Sequence, residues 1–289
     1  MISIIIPTYN RSHYLKEALS SYIKQWSVGE IIIVDDKSED NTAEVVRAFQ
    51  GRYSQIKLIQ HKKNKGLPAS RNTGVKNSVG KYILFGEDDV LFLENYSQIL
   101  LKHLLKNRAD IIAGRLIPLK GNESLKTALG NADLCQKPLI NYRNFRGNFQ
   151  VKTEKDKIVP FLHACALIKK EVFDHLNYDE KSFKGTYTRE ETDFYLRALD
   201  KGFKIIFCPH AFIFHLPKQK LKYKSGCRPS SKGKAQIWYQ INNFIFLRKN
   251  RSILKKKLRL NYRKVFLNSI WLSFFKKLDN FIFKKSKTI

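Results

Sequence analysis

Apolar residues come in short blocks along the first third of the chain, and a polar cluster ends each block. Residues 2–6 form a β-branched block stopped by Pro7. Residues 30–34 form a second, Ile56–Gln60 a third and residues 82–86 a fourth. Runs of this length read as strands buried on both faces. Between the first two, Leu15, Ala18, Leu19, Tyr22, Ile23 and Trp26 keep helical spacing. They predict a helix over 13–25, capped by Asn10 or Ser12. A second helix, 42–49, is capped by Asp40 or Asn41. A third opens after Asn64-Lys65-Gly66, with Pro68 tolerated in its first turn. Strands alternating with helices predict βαβ units and a parallel sheet, an α/β fold.

Farther along, the pattern predicts a helix over 91–105 and a strand at 111–114. Residues 115–158 are basic, aromatic and weakly periodic, which predicts a long loop region over a cleft. A strand at 163–169 and a short helix at 171–176 follow. Glu190-Glu191 precedes a helix over 192–201 that Gly202 stops. Extended segments at 203–208 and 211–214 end at His215, and residues 216–234 form a basic loop.

Candidate chemistry gathers where the strands end. Thr8-Tyr9-Asn10, Asp35-Asp36, Asn64 and Glu87-Asp88-Asp89 all follow predicted strands. In open α/β sheets ligands collect at the C-terminal strand ends. Three adjacent carboxylates repel one another unless a cation sits among them. A divalent metal carrying phosphates meets that need, and so does a helix N-terminus at residue 91. Recurrence of polar clusters along one sheet edge favours the metal.

The charge balance widens the picture. The chain has 289 residues, 54 Lys and Arg, 25 Asp and Glu, and a net charge of +29, so an anionic partner is expected. With 43% hydrophobic residues it can build a core. The four cysteines form no CxxC pair, which argues against a zinc ribbon or a disulfide framework. No basic, apolar leader opens the sequence, so no signal peptide is expected. Residues 248–289 carry 14 Lys and Arg and one acid, interleaved with Leu254, Leu258, Phe266, Ile270, Trp271, Phe274, Phe275, Phe281 and Phe283. A basic amphipathic segment of this kind reads as membrane-surface binding. The uncharged stretch 265–275 is too short to span a bilayer.

As an ordered set these motifs resemble family 2 glycosyltransferases. Ser3-Ile4-Ile5-Ile6-Pro7-Thr8-Tyr9-Asn10-Arg11 is similar to the family's opening strand. The run from Ile31 to Thr42 resembles its second motif. Asn64-Lys65-Gly66, Ala69 to Gly74 and Gly80 to Ile83 resemble its third. The acidic triplet stands at its DxD metal motif. Tyr178-Asp179-Glu180, Arg189 to Arg197 and Gly202 to Ile205 resemble its acceptor-side block. The resemblance implies a GT-A fold: a nucleotide-sugar-binding half at 1–114, an acceptor-binding and catalytic half at 115–247, and the basic tail at 248–289.

It implies an inverting, metal-dependent transfer from a nucleotide diphosphate sugar to a saccharide or lipid-linked saccharide hydroxyl. Mn²⁺ or Mg²⁺ would be held by Asp89, Glu87 and His215. Pro7, Thr8 and Tyr9 would border the base. Asp35 and Asp36 would face base and ribose, Asp88 the donor hydroxyls, with Asn64 and Gly66 alongside. Arg71 would face phosphate or order the acids, and Arg228, with Lys224 and Lys232, would close over the diphosphate. Glu191 stands at the family's base, where Asp is usual, with Glu190 beside it as a second candidate for that task. Glu87 likewise stands where Asp is usual. Lysine richness, the basic tail and the lack of targeting signals predict a peripheral place at the cytoplasmic face of a membrane.

Other classes fit less well. A sugar-nucleotide pyrophosphorylase needs a Gly-rich loop where Pro7 to Arg11 stands. No nucleic-acid module is recognisable, and the acids line the expected cleft, so no nucleic acid partner is expected. A catalytically silent, membrane-associated nucleotide-sugar-binding scaffold remains the alternative.

Overall fold

A computed structural model describes residues 1–217 and 232–270. The first part alternates as the pattern requires. β1 (Ile2–Thr8), α1 (Ser12–Tyr22), β2 (Val28–Asp35), α2 (Thr42–Gln50), β3 (Ile56–Gln60), α3 (Leu67–Lys76) and β4 (Tyr82–Phe85) follow in turn. Their strands lie parallel in the order β3-β2-β1-β4. β1 and β4 are buried along their whole length, which is why their apolar runs are continuous rather than alternating. Successive side chains still point to opposite faces. Ile4 and Ile6 pack with α1 on one face, and Ile5 packs with Phe85 and Phe194 on the other.

The second part adds β5 (Val90–Phe92), α4 (Tyr96–Lys106), β6 (Ile111–Pro118), α5 (Leu125–Asp133) and a small hairpin of β7 (Ile140–Asn141) and β8 (Arg146–Gly147). β9 (Lys157–Ile158), β10 (Leu167–Lys169), α6 (Glu190–Asp200), β11 (Ile205–His215), α7 (Lys232–Lys249) and α8 (Arg251–Leu258) complete it. The sheet continues β4-β10-β6-β11-β5, with β9 also on β11. β10 runs antiparallel between β4 and β6, so a strand from the second half stitches the first half to the rest.

Several expectations give way. The helix expected at 91–105 begins only at Tyr96, because residues 90–92 pair with β11. The acids at 87–89 therefore do not cap a helix. α1 has Arg11 at its cap position with no side-chain cap bond, since the Asn10 carboxamide accepts from Glu39 N–H instead. Asp40 serves two helices: its Oδ1 accepts from Thr42 N–H and its Oδ2 from Ser12 N–H. Residues 115–158 are not one loop, because β6 runs on to Pro118 and α5 follows, capped by Ser124. The strand expected at 163–169 shortens to β10. The segments at 203–208 and 211–214 are one strand whose register shifts between Phe207 and Phe212, around Pro209.

The tail departs most. Leu254 and Val265 are buried, and Leu258 and Phe266 pack against the same core. Part of the apolar face read as membrane-seeking thus covers the protein's own interior. No helix among the described residues is long and apolar enough to cross a membrane.

Candidate active site

The C-terminal ends of β1, β2 and β4 border a cleft of about 680 Å³. Pro7, Thr8 and Tyr9 line it from β1, Asp36 from the end of β2, and Asn64 and Gly66 from the loop before α3. Glu87, Asp88 and Asp89 follow β4, Glu190 and Glu191 open α6, and His215 ends β11. Six carboxyl side chains line this space against two guanidinium groups, those of Arg11 and Arg71.

The acidic triplet is held from both sides. Gly86 lets β4 lie against the Tyr22 ring, which a side chain there would strike. The Tyr22 hydroxyl then donates to Glu87 C=O at 2.8 Å and accepts from Glu87 N–H at 3.1 Å. Asp88 Oδ2 accepts from the Thr8 hydroxyl at 3.0 Å. Arg11 Nη1 donates to Asp89 Oδ2 at 2.9 Å and stands 3.7 Å from Asp88. The other oxygen of Asp89, Oδ1, is 3.7 Å from His215 Nε2. Burial pushes the Asp88 carboxyl up to about 7, with Asp89 adding and Arg11 opposing.

The opposite wall depends on Arg71. It is 1% exposed and lies over the rings of Phe85 and Tyr178, at 5.2 and 5.4 Å. Its Nε donates to Glu190 Oε1 at 3.0 Å, and Nη2 stands 4.0 Å from Glu87. Glu190 is fully buried, and its Oε2 has no hydrogen-bond partner among the described residues. Glu191, the next residue, is half-buried and lines both the cleft and an adjoining basin walled by Phe149, Phe161 and Tyr239.

The two glutamates diverge because adjacent positions on a helix point about 100° apart, and Arg189, just before α6, is left-handed at φ 78°. That conformation is costly for a side-chain-bearing residue. It is held by Arg189 Nε donating to Asn243 Oδ1 at 3.0 Å, and by Arg189 donating to the carbonyls of Asn144 and Phe145.

Not every expected residue reaches the cleft. Asp35 is fully buried outside the cleft wall, its carboxylate accepting from Ser38 N–H and the Gln60 carboxamide. Strand alternation turns it away from Asp36. Asp36 lines the cleft, but loop bonds engage its carboxylate. Oδ1 accepts from Lys65 N–H at 2.8 Å, Oδ2 accepts from Gly66 N–H at 2.7 Å, and His61 Nδ1 is 2.7 Å from Oδ1. Asp36 therefore shapes the loop rather than offering a free acceptor to a base. Gly66, at φ 92°, passes under the Tyr187 hydroxyl, where any side chain would collide. Arg228 and Lys224 lie outside the described residues, as does the Lys232 side chain. Sequence reasoning missed Arg11, Tyr187 and Arg189. Arg11 was the most legible of these, since it closes the polar cluster after β1.

The donor set suits a hard divalent ion. Asp89 Oδ1 and His215 Nε2 face each other across a gap that one ion can bridge, and the lining carries excess negative charge. Glu87 is drawn toward Arg71 and stands less directly in that gap.

Sequence and structure comparisons give the family and the fold. The profile of glycosyl transferase family 2 matches residues 3–176, and the chain belongs to that family. Glycosyltransferase GlyA of Streptococcus pneumoniae is 30% identical over 182 residues, 62% of this chain and 26% of that protein. The Escherichia coli UDP-Glc:alpha-D-GlcNAc-diphosphoundecaprenol beta-1,3-glucosyltransferase WfgD is 32% identical over 123 residues, 42% of this chain and 48% of that protein. The chain thus spans between a quarter and a half of these relatives. Staphylococcus aureus TarS 1–349 in complex with UDP-GlcNAc superposes with a TM-score of 0.60 at 16% identity, covering 88% of this chain and 66% of that one. The mannosyltransferase PcManGT of Pyrobaculum calidifontis, in complex with GDP-Man and Mn²⁺, gives 0.61 at 16% identity, covering 93% and 72%. The fold is GT-A.

The buried Glu190 makes stability depend on pH. Burial raises its carboxyl to about 8, with Glu191 and Glu87 adding and Arg71 opposing. The folded state holds this proton more tightly than the unfolded chain does. The stability it contributes is full below about pH 4.5 and is lost as pH rises through about 8. Thermal unfolding from pH 5 to 9 should show wild type losing on the order of a few kcal/mol more than Glu190→Gln. Parallel curves for the two proteins would rule this out.

Proposed function

We propose that this glycosyltransferase moves a sugar, with inversion at its anomeric carbon, from a nucleoside diphosphate sugar to a hydroxyl of a saccharide or lipid-linked saccharide. The observation that carries the reading is the shared lining. Asp89 and His215 line the cleft 3.7 Å apart, and the half-buried Glu191 lines both the cleft and the basin beyond it. Donor and acceptor would meet between them.

Each group then has a task. Pro7, Thr8, Tyr9, Asn64 and Gly66 border the nucleoside, and Asp88 reaches donor hydroxyls. Asp89 and His215, with Glu87 beside them, would hold Mn²⁺ or Mg²⁺, whose charge would support the departing diphosphate. Arg11 and Arg71 keep the acids in register and add buried positive charge. Glu191 takes the proton of the attacking hydroxyl as the new glycosidic bond forms and the bond to phosphate breaks on the opposite face. Glu190 positions Arg71. The neighbours' complexes with UDP-GlcNAc and with GDP-Man and Mn²⁺ support the donor class. The diphosphoundecaprenol-linked substrate named for the Escherichia coli relative supports a lipid-linked acceptor.

A lipid-linked acceptor brings the protein to the cytoplasmic face of a membrane. Ile237, Ile241 and Phe244 are exposed at helical spacing on α7, and Leu267 and Ile270 are exposed beyond it. Residues 248–289 carry 14 Lys and Arg in the same part of the sequence. Near an anionic surface each Lys or Arg contributes roughly 1 kcal/mol.

Two measurements test this. With a donor and acceptor pair that wild type turns over, Asp89→Ala and Glu191→Gln should each slow transfer by about 10²–10⁴-fold. Wild-type rates in either variant would overturn the assignment, and metal-dependent donor binding without turnover of any acceptor would mark a silent scaffold. In sedimentation with lipid vesicles, the protein should pellet with phosphatidylglycerol vesicles and be released by high salt. Equal binding to neutral vesicles would contradict the electrostatic attachment.

A further inference from the structure

A second cluster of metal-binding side chains lies on the face of the sheet covered by α4. His103 reaches in from the last turn of α4, Asp156 from the segment just before β9, and Cys208 from β11. One donor atom from each lies within 4.8 Å of the others. His103 Nδ1 and Asn107 Nδ2 are each 2.7 Å from Asp156 Oδ2. The other oxygen of that carboxylate, Oδ1, is buried and has no hydrogen-bond partner among the described residues. The His210 ring, two positions beyond Cys208 and exposed to solvent, has its centroid 5.1 Å from that of His103.

These features have no part in the transfer reaction. An acceptor oxygen taken out of water without a donor is costly, and a cation beside it removes the cost. The donor chemistry is selective. A thiol, a carboxylate and two imidazoles form the mixed sulfur, nitrogen and oxygen set that suits Zn²⁺ and its relatives. Mg²⁺ and Ca²⁺, which favour oxygen-rich shells, are poorly served.

We propose that His103, Asp156, Cys208 and His210 form a site for one divalent transition-metal ion of the zinc type, separate from the cleft. The ion ties α4, β11 and the segment before β9 to one centre. Its role is structural, since it binds the folded arrangement and not the scattered ligands of the unfolded chain.

The test uses the full-length protein, stripped with a chelator under reducing conditions and titrated with Co²⁺ as a spectroscopic substitute for Zn²⁺. One equivalent should produce the visible bands of a tetrahedral ion together with thiolate-to-metal charge-transfer absorption. Zn²⁺ should displace both and raise the melting temperature. Cys208→Ser should remove the charge-transfer band. His210→Ala, at an exposed position, should weaken binding by about 10–100-fold without altering the metal-free melting temperature. Asp89→Ala should leave the signal intact. Absence of the thiolate band, its survival in Cys208→Ser, or its loss in Asp89→Ala would each overturn the proposal. If Cys208→Ser does not fold, unchanged affinity in His210→Ala would contradict the four-residue site.

Discussion

Arg71 is the interaction on which the rest of the site depends. It rises from α3 in the first half of the sheet and hydrogen-bonds Glu190 in the first turn of α6, across the seam where β10 joins β4. Two aromatic rings flank its guanidinium, so the cation is desolvated and its partners are specified. Glu190 keeps its proton up to about pH 8, so below that the contact is a hydrogen bond to a charged group, contributing about 1.5–3 kcal/mol. What it provides is position. With Glu190 tied inward, Glu191 is left facing the space where an acceptor hydroxyl would stand.

Arg11 plays the matching part on the other wall. It answers Asp89 with a direct bond and Asp88 with a nearby charge, so the acids can crowd at the end of β4 without splaying apart. Asp89 Oδ1 and His215 Nε2, 3.7 Å apart, are left facing each other, which gives a physical reason for a divalent ion and a diphosphate there. The left-handed Arg189 is the third constraint, because its strain is offset by bonds from α7 and the segment after β7. The start of α6, and with it the place of Glu191, thus depends on residues over 40 positions away in both directions.

Much of the first half was legible because its information is local. β-branched runs buried on both faces and helices with clean apolar stripes leave little room for another reading, and β3 appears at the bounds its residues predict. The site was partly legible for the same reason, since polar residues at strand ends of a parallel sheet must share an edge. What escaped was non-local. Nothing near Leu167 announces that β10 inserts antiparallel between β4 and β6. Asp35 and Asp36 read alike, but strand alternation sends one into the fold and the loop before α3 occupies the other. The spacing of Leu254, Leu258 and Phe266 is the same whether the apolar face meets a lipid surface or the protein's own core, and the structure shows the core.

The central claim is that the acids at the end of β4 and His215 form a cation-dependent diphosphate site. Calorimetric titration with UDP and GDP, each with and without Mn²⁺, tests it most directly. One of the two nucleotides should bind at least about tenfold more tightly with Mn²⁺ present, a coupling that disappears in His215→Ala. Binding of neither nucleotide, or equal affinity with and without Mn²⁺, would contradict the account.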